Sequence, residues 1–155
     1  MAVTVSVDGK QVEDRVGVGS VIGPYNLSPG KHEVRFAGPS GTTVMRTSVR
    51  VRSGSSTDVV LHRPASPTGP ETVNVYSTPR APIGPGKARV LIAHTATVAP
   101  ADVRVDGKKI FTNIANGEFA TADVPAGTHR VALLATARDA TPSWARSTSR
   151  SRRAP

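Results

Sequence analysis

The chain has 155 residues, of which 37% are hydrophobic, 14 are Gly and 13 are Pro, so it holds one or two small, turn-rich domains. It has no Cys, which excludes disulfide frameworks, thiolate catalysis and Cys-based zinc sites. A net charge of +9 favours anionic partners, and no run of about 18 apolar residues is present to cross a bilayer as a helix.

Residues 3–7 read Val, Thr, Val, Ser, Val, the period of a half-buried strand. Asp8-Gly9 supplies the positive φ of a tight hairpin turn. Residues 16–28 set short apolar steps among glycines and predict a short strand with an irregular approach to the next turn. Ser28-Pro29-Gly30 reads as a type II turn. Residues 31–36 predict a strand with His32, Val34 and Phe36 on one face and Lys31, Glu33 and Arg35 on the other. Residues 43–52 predict a longer strand with Met45, Val49 and Val51 inward, and residues 57–61 another.

Residues 63–70 are a polar, Pro-rich connector, and residues 72–76 a short strand. Residues 78–87, with Pro79, Pro82 and Pro85 between Gly84 and Gly86, are the expected linker. Further strands are expected at 89–94, 101–105, 108–112, 118–124 and 128–135.

One pattern occurs twice. Val5-Ser6-Val7-Asp8-Gly9-Lys10 is followed by Ser28-Pro29-Gly30-Lys31-His32, and Val103-Arg104-Val105-Asp106-Gly107-Lys108 by Pro125-Ala126-Gly127-Thr128-His129. From Gly9 to Gly30 is 21 residues and from Gly107 to Gly127 is 20. A spacing held this closely marks one supersecondary unit used twice. The expected fold is therefore all-β: two tandem Ig-like or transthyretin-like sandwich units, residues 1–77 and 88–137.

The first copy has no counterpart of the strand at 88–94, and the second none of those at 43–52 and 57–61, so both ends read as cut. Uncovered edges predict marginal stability and self-association. The first residues, Met1-Ala2-Val3-Thr4, are already strand-like, so no secretory leader is expected in this chain.

Residues 1–137 carry 15 Lys or Arg against 10 Asp or Glu, and residues 138–155 carry 5 Arg against 1 Asp. This Arg-rich tail shows no strand alternation and is expected to be disordered. Shifted by one base under G- or C-ending codons, it reads as a strand ending in a Gly turn, which points to a frameshift product.

Residues 88–96, then Ala101 to Lys108, then Val124 to Val131, resemble the DUF4397 family, as do residues 3–61 without an opening strand. The step after His94, Thr95-Ala96-Thr97, departs from the family's Ser-Pro-like step. The resemblance implies tandem β-sandwich units, a bacterial secreted or cell-envelope setting, and no cofactor. Partners would be envelope or extracellular proteins or glycans.

The chemistry-bearing residues favour architecture. His32 and His129 occupy equivalent places in phase with core residues, and His94 is in phase with Val90 and Ile92. All three read as rim histidines that hydrogen-bond backbone carbonyls, and no spacing suits a metal. Asp8 and Asp106 read as turn residues, since a calcium loop needs more acids within twelve positions. Asp102, Asp106 and Asp123 are near enough in sequence to cluster, though no spacing demands it. No nucleophile elbow and no phosphate loop is present, so no catalytic residue is assigned. A carbohydrate-active hydrolase is the remote alternative.

Arg46, Arg50 and Arg52 share the outward face of the 43–52 strand, and Lys31 and Arg35 lie on its expected neighbour. The bland reading is a solvated face that protects a sheet edge. The sharper one is a strip for anionic glycan or envelope polymer. Nucleic acid is less favoured, because stacking aromatics are absent from the strip. The function expected is a non-enzymatic structural or interaction module that binds through loops and outer sheet faces.

Overall fold

The computed structural model describes residues 2–66 and 68–136. Among them the chain is all-β, with eleven strands and no helix. β1 (Val3–Val7) and β2 (Lys10–Val16) close a hairpin over Asp8-Gly9, whose φ values of 50° and 79° are those of a type I′ turn. β3 (Gly30–Ala37) takes the other side of β1, and β4 (Thr43–Val51) pairs with β3, giving the antiparallel order β2-β1-β3-β4.

β5 (Thr57–His62) and β6 (Thr72–Ser77) form a two-stranded ribbon. Val59, Leu61 and Val73 of this ribbon pack on the buried cluster of Val3, Val5, Val34, Phe36 and Val49. The apolar face of one sheet is thus covered by another, which is how an amphipathic strand loses its water-exposed hydrocarbon.

The second half holds β7 (Lys87–Ala93), β8 (Ala101–Val105), β9 (Lys108–Ile114), β10 (Phe119–Pro125) and β11 (Val131–Ala135). They form the sheets β11-β8-β9 and β10-β7. Val103, Val105 and Ile114 make a second core, against which Ile92, Phe111 and Ala120 pack.

The two Asp-Gly hairpins share one register. Val7 faces Lys10, Val5 faces Glu13 and Val3 faces Val16; Val105 faces Lys108, Val103 faces Phe111 and Ala101 faces Ile114. Both are bulged at corresponding places, with Arg15 and Asn113 in the left-handed region at φ 51° and 55°.

The two halves touch through the ribbon. Tyr76, only 2% exposed, tilts against Phe119 with ring centroids 5.2 Å apart. Its hydroxyl donates to Gly117 O, as does Asn74 Nδ2. Strand alternation makes this possible: Val73 packs on the first core, while Asn74 and Tyr76, of the opposite parity, turn to Gly117 and Phe119.

The strand expected within residues 16–28 is absent. Its apolar steps are interrupted by Gly17, Gly19 and Gly23, and Val18 and Val21 are 93% and 97% exposed. The strand instead precedes it, at Lys10–Val16. Residues 128–130 precede β11 and are not part of it. The tail expectations for 138–155 lie outside the described residues. No helix among the described residues is long and apolar enough to cross a membrane.

Candidate functional site

Two polar arrangements stand out, one architectural and one exposed. The first joins the two halves of the duplicated pattern. The Asp8-Gly9 turn brings the Asp8 side chain beside the start of β3. There Asp8 Oδ2 lies 2.7 Å from His32 Nδ1, and Asp8 Oδ1 accepts the Glu33 N–H at 2.8 Å. His32 Nε2 lies 2.7 Å from the Ser28 carbonyl oxygen.

The same bonds recur in the second half. Asp106 Oδ2 meets His129 Nδ1, Asp106 Oδ1 accepts the Arg130 N–H, and His129 Nε2 meets Pro125 O. Each imidazole therefore faces a carboxylate with one nitrogen and a carbonyl with the other. Only the imidazolium can donate to both. The Asp8 carboxylate, and then the Ser28 carbonyl, accordingly hold His32 above the ordinary histidine range, and Asp106 and Pro125 do the same to His129. Reciprocally, His32 and the Glu33 N–H hold Asp8 below the ordinary carboxylate range.

The histidine expectation thus holds in part. His32 and His129 do bond backbone carbonyls, but each aspartate is more than a turn residue. His94 is 8% exposed and its Nδ1 has no hydrogen-bond partner, so the expected carbonyl bond is not made by that atom. His62 bonds Asn74 Oδ1 and Arg63 O.

Asp102, Asp106 and Asp123 do not cluster. Asp102, 3% exposed, is held by Lys109, the Asn113 N–H and the Thr136 hydroxyl, with Lys109 first in holding its carboxyl below the ordinary range. Asp123 pairs with Arg89 through both oxygens at 2.6 and 2.7 Å. Each acid is thus satisfied by its own cation.

The second arrangement is the basic strip. Pairing of β3 with β4 sets Lys31 opposite Arg50 and Arg35 opposite Arg46. Two of the five cations are engaged locally. Arg35 donates to Thr43 Oγ1 at 2.7 Å and to Gly41 O at 2.6 Å. Arg46 lies 3.5 Å from Glu33. Lys31, Arg50 and Arg52 make no ion pair among the described residues.

Arg50 and Arg52 instead line a groove of about 350 Å³ beside β4, with Arg80, Ser48, Thr57 and Ser77. No carboxylate and no aromatic ring is among its lining residues. Arg80 is anchored by donating to Ser53 O at 2.7 Å. Strand parity does not reveal it, because it comes from the linker at residues 78–87 and not from a strand. Guanidiniums and hydroxyls without a neutralising acid are suited to a carboxylate or phosphate group.

The family described as a domain of unknown function (DUF4397) matches residues 1–103, from the first strands through the 78–87 connector into β8. Nothing among curated proteins and nothing among solved structures matches the chain. The match spans well over half of the residues, and the chain belongs to the DUF4397 family.

Proposed function

We propose that this chain is a non-enzymatic interaction module of a bacterial secreted or cell-envelope protein, built from two copies of one β unit. It binds anionic glycan or another acidic envelope polymer in the groove between β4 and β6. The observation that carries this reading is the groove in which Arg50, Arg52 and Arg80 stand among hydroxyls with no acid among the lining residues. The doubled Asp–His arrangement supports the non-enzymatic part, since its polar atoms are bonded to one another and to the backbone.

The test is retention on an immobilised acidic polysaccharide as salt is raised. The chain is expected to elute late, and Arg50→Gln with Arg52→Gln to elute markedly earlier, while Arg46→Gln changes little. Equal elution of all three removes the groove from the reading. Equal or stronger salt-dependent binding to single-stranded DNA favours a general polyanion surface over a glycan site.

A further inference from the structure

The two halves place corresponding residues at corresponding registers and bury them very differently. Val7 faces Val34 and Val5 faces Phe36 across β1 and β3; Val105 faces Val131 and Val103 faces Leu133 across β8 and β11. Val34 and Phe36 are each 7% exposed, whereas Val131 is 54% and Leu133 65% exposed. Their cross-strand neighbours Val103 and Val105 are buried at 1% and 8%. Among the described residues the apolar face is thus continuous across β8 and β11, covered over β8 and bare over β11.

In the first half the corresponding strand, β3, is flanked by β4, and the β5–β6 ribbon lies on the same core. No strand among the described residues borders β11 on its outer side. The Thr136 N–H bonds Pro100 O toward β8, so ladder alternation turns the N–H groups of Val131, Leu133 and Ala135 to the open side. A bare hydrocarbon face beside a row of free backbone groups fits an incoming β-strand, which satisfies both.

Charge narrows the occupant. On the outer face of the first half, Glu33 of β3 meets Arg46 of β4. Arg130 stands at the place of Glu33, and Arg104 lies beside it, opposite Ala132. Both arginines are exposed and make no ion pair among the described residues. A strand with basic outer residues, such as β4 of a second copy, is repelled there; one with acidic outer residues is attracted.

We propose that the open edge of β11, with Val131, Leu133 and Arg130, accepts in trans an extended polypeptide segment with alternating apolar residues and acidic residues on its outer face. The site is distinct from the arginine groove.

Two synthetic peptides test it: one of the Thr43–Val51 sequence, and one carrying Arg46→Glu and Arg50→Glu. Each is titrated into the full chain while amide exchange is followed residue by residue. The acidic peptide is expected to slow exchange at Val131, Leu133 and Ala135, and to bind about fivefold tighter than the basic one at low salt. Leu133→Lys is expected to abolish this protection while the thermal midpoint stays put. Equal affinity for the two peptides, protection on β4 in place of β11, or β11 amides already protected in a concentration-dependent dimer overturns the proposal.

Discussion

Asp8 and His32 are 24 residues apart in the chain and 2.7 Å apart in space. Because the other nitrogen of His32 faces Ser28 O, protonation strengthens this contact, and neutralisation leaves one of two acceptors without a proton. His32 and His129 titrate above their ordinary value of about 6.5, and Asp8 and Asp106 below their ordinary value of about 3.9.

The linkage has a definite sign. The histidine contribution is complete below about pH 6.5 and is lost as pH rises through the raised folded-state value. The aspartate contribution is complete above about pH 4 and is lost as pH falls through the depressed value. Thermal stability is therefore expected to peak between about pH 4.5 and 6.5 and to decline toward pH 8. Calorimetry across this range checks it. Replacing both residues, His32→Gln with His129→Gln, is expected to flatten the alkaline decline; an unchanged decline assigns it to other groups.

Asp8→Asn preserves shape and removes charge. The amide oxygen still accepts from Glu33, and the His32 Nε2–H still donates to Ser28 O, so the neutral ring now satisfies the site. NMR titration of the His32 ring is expected to move its midpoint down to the ordinary histidine range, while His129, on its own aspartate, keeps its raised value.

The two apolar faces predict unequal responses to truncation. Phe36→Ala removes a ring buried in the first core and is expected to cost about 3–5 kcal/mol. Leu133→Ala, at the matching register but exposed, is expected to change stability by no more than about 0.5 kcal/mol. Denaturant unfolding of both variants measures the difference; a comparable loss at Leu133 means that its face is covered in solution.

Gly9 has φ +79° with open space where a Cβ would stand, so strain acts there without a clash. Gly9→Ala is expected to lower stability by roughly 1–2 kcal/mol, the cost of the left-handed region for an L side chain. Gly17→Ala, in the irregular segment and only 3.9 Å from Ser20 Oγ, is the neutral control.

Strand alternation was legible wherever one face is buried and the other wet. Val3–Val7, Gly30–Ala37 and Thr43–Val51 each follow their sequence pattern within a residue or two. Lys10–Val16 was not, because it is an edge strand bulged at Arg15, and its charges break the period. The Asp–His contact was half visible: both residues recur in both copies at nearly fixed separation, which is the mark of a pair in contact. Read singly, each had a sufficient local explanation as a turn residue or a rim histidine. The arginine groove was visible only as strand parity. Which cations are consumed by Gly41, Thr43 and Glu33, and which remain with Arg80, depends on turns that parity does not describe.

Each imidazole finds its carboxylate within its own stretch of chain, and neither borrows from the other. During synthesis, then, the leading hairpin can lock as soon as β3 follows it, while β8 to β11 are still untranslated. Tyr76 must wait for Phe119, so the seam between the halves sets only after the strands of the first core have all been made.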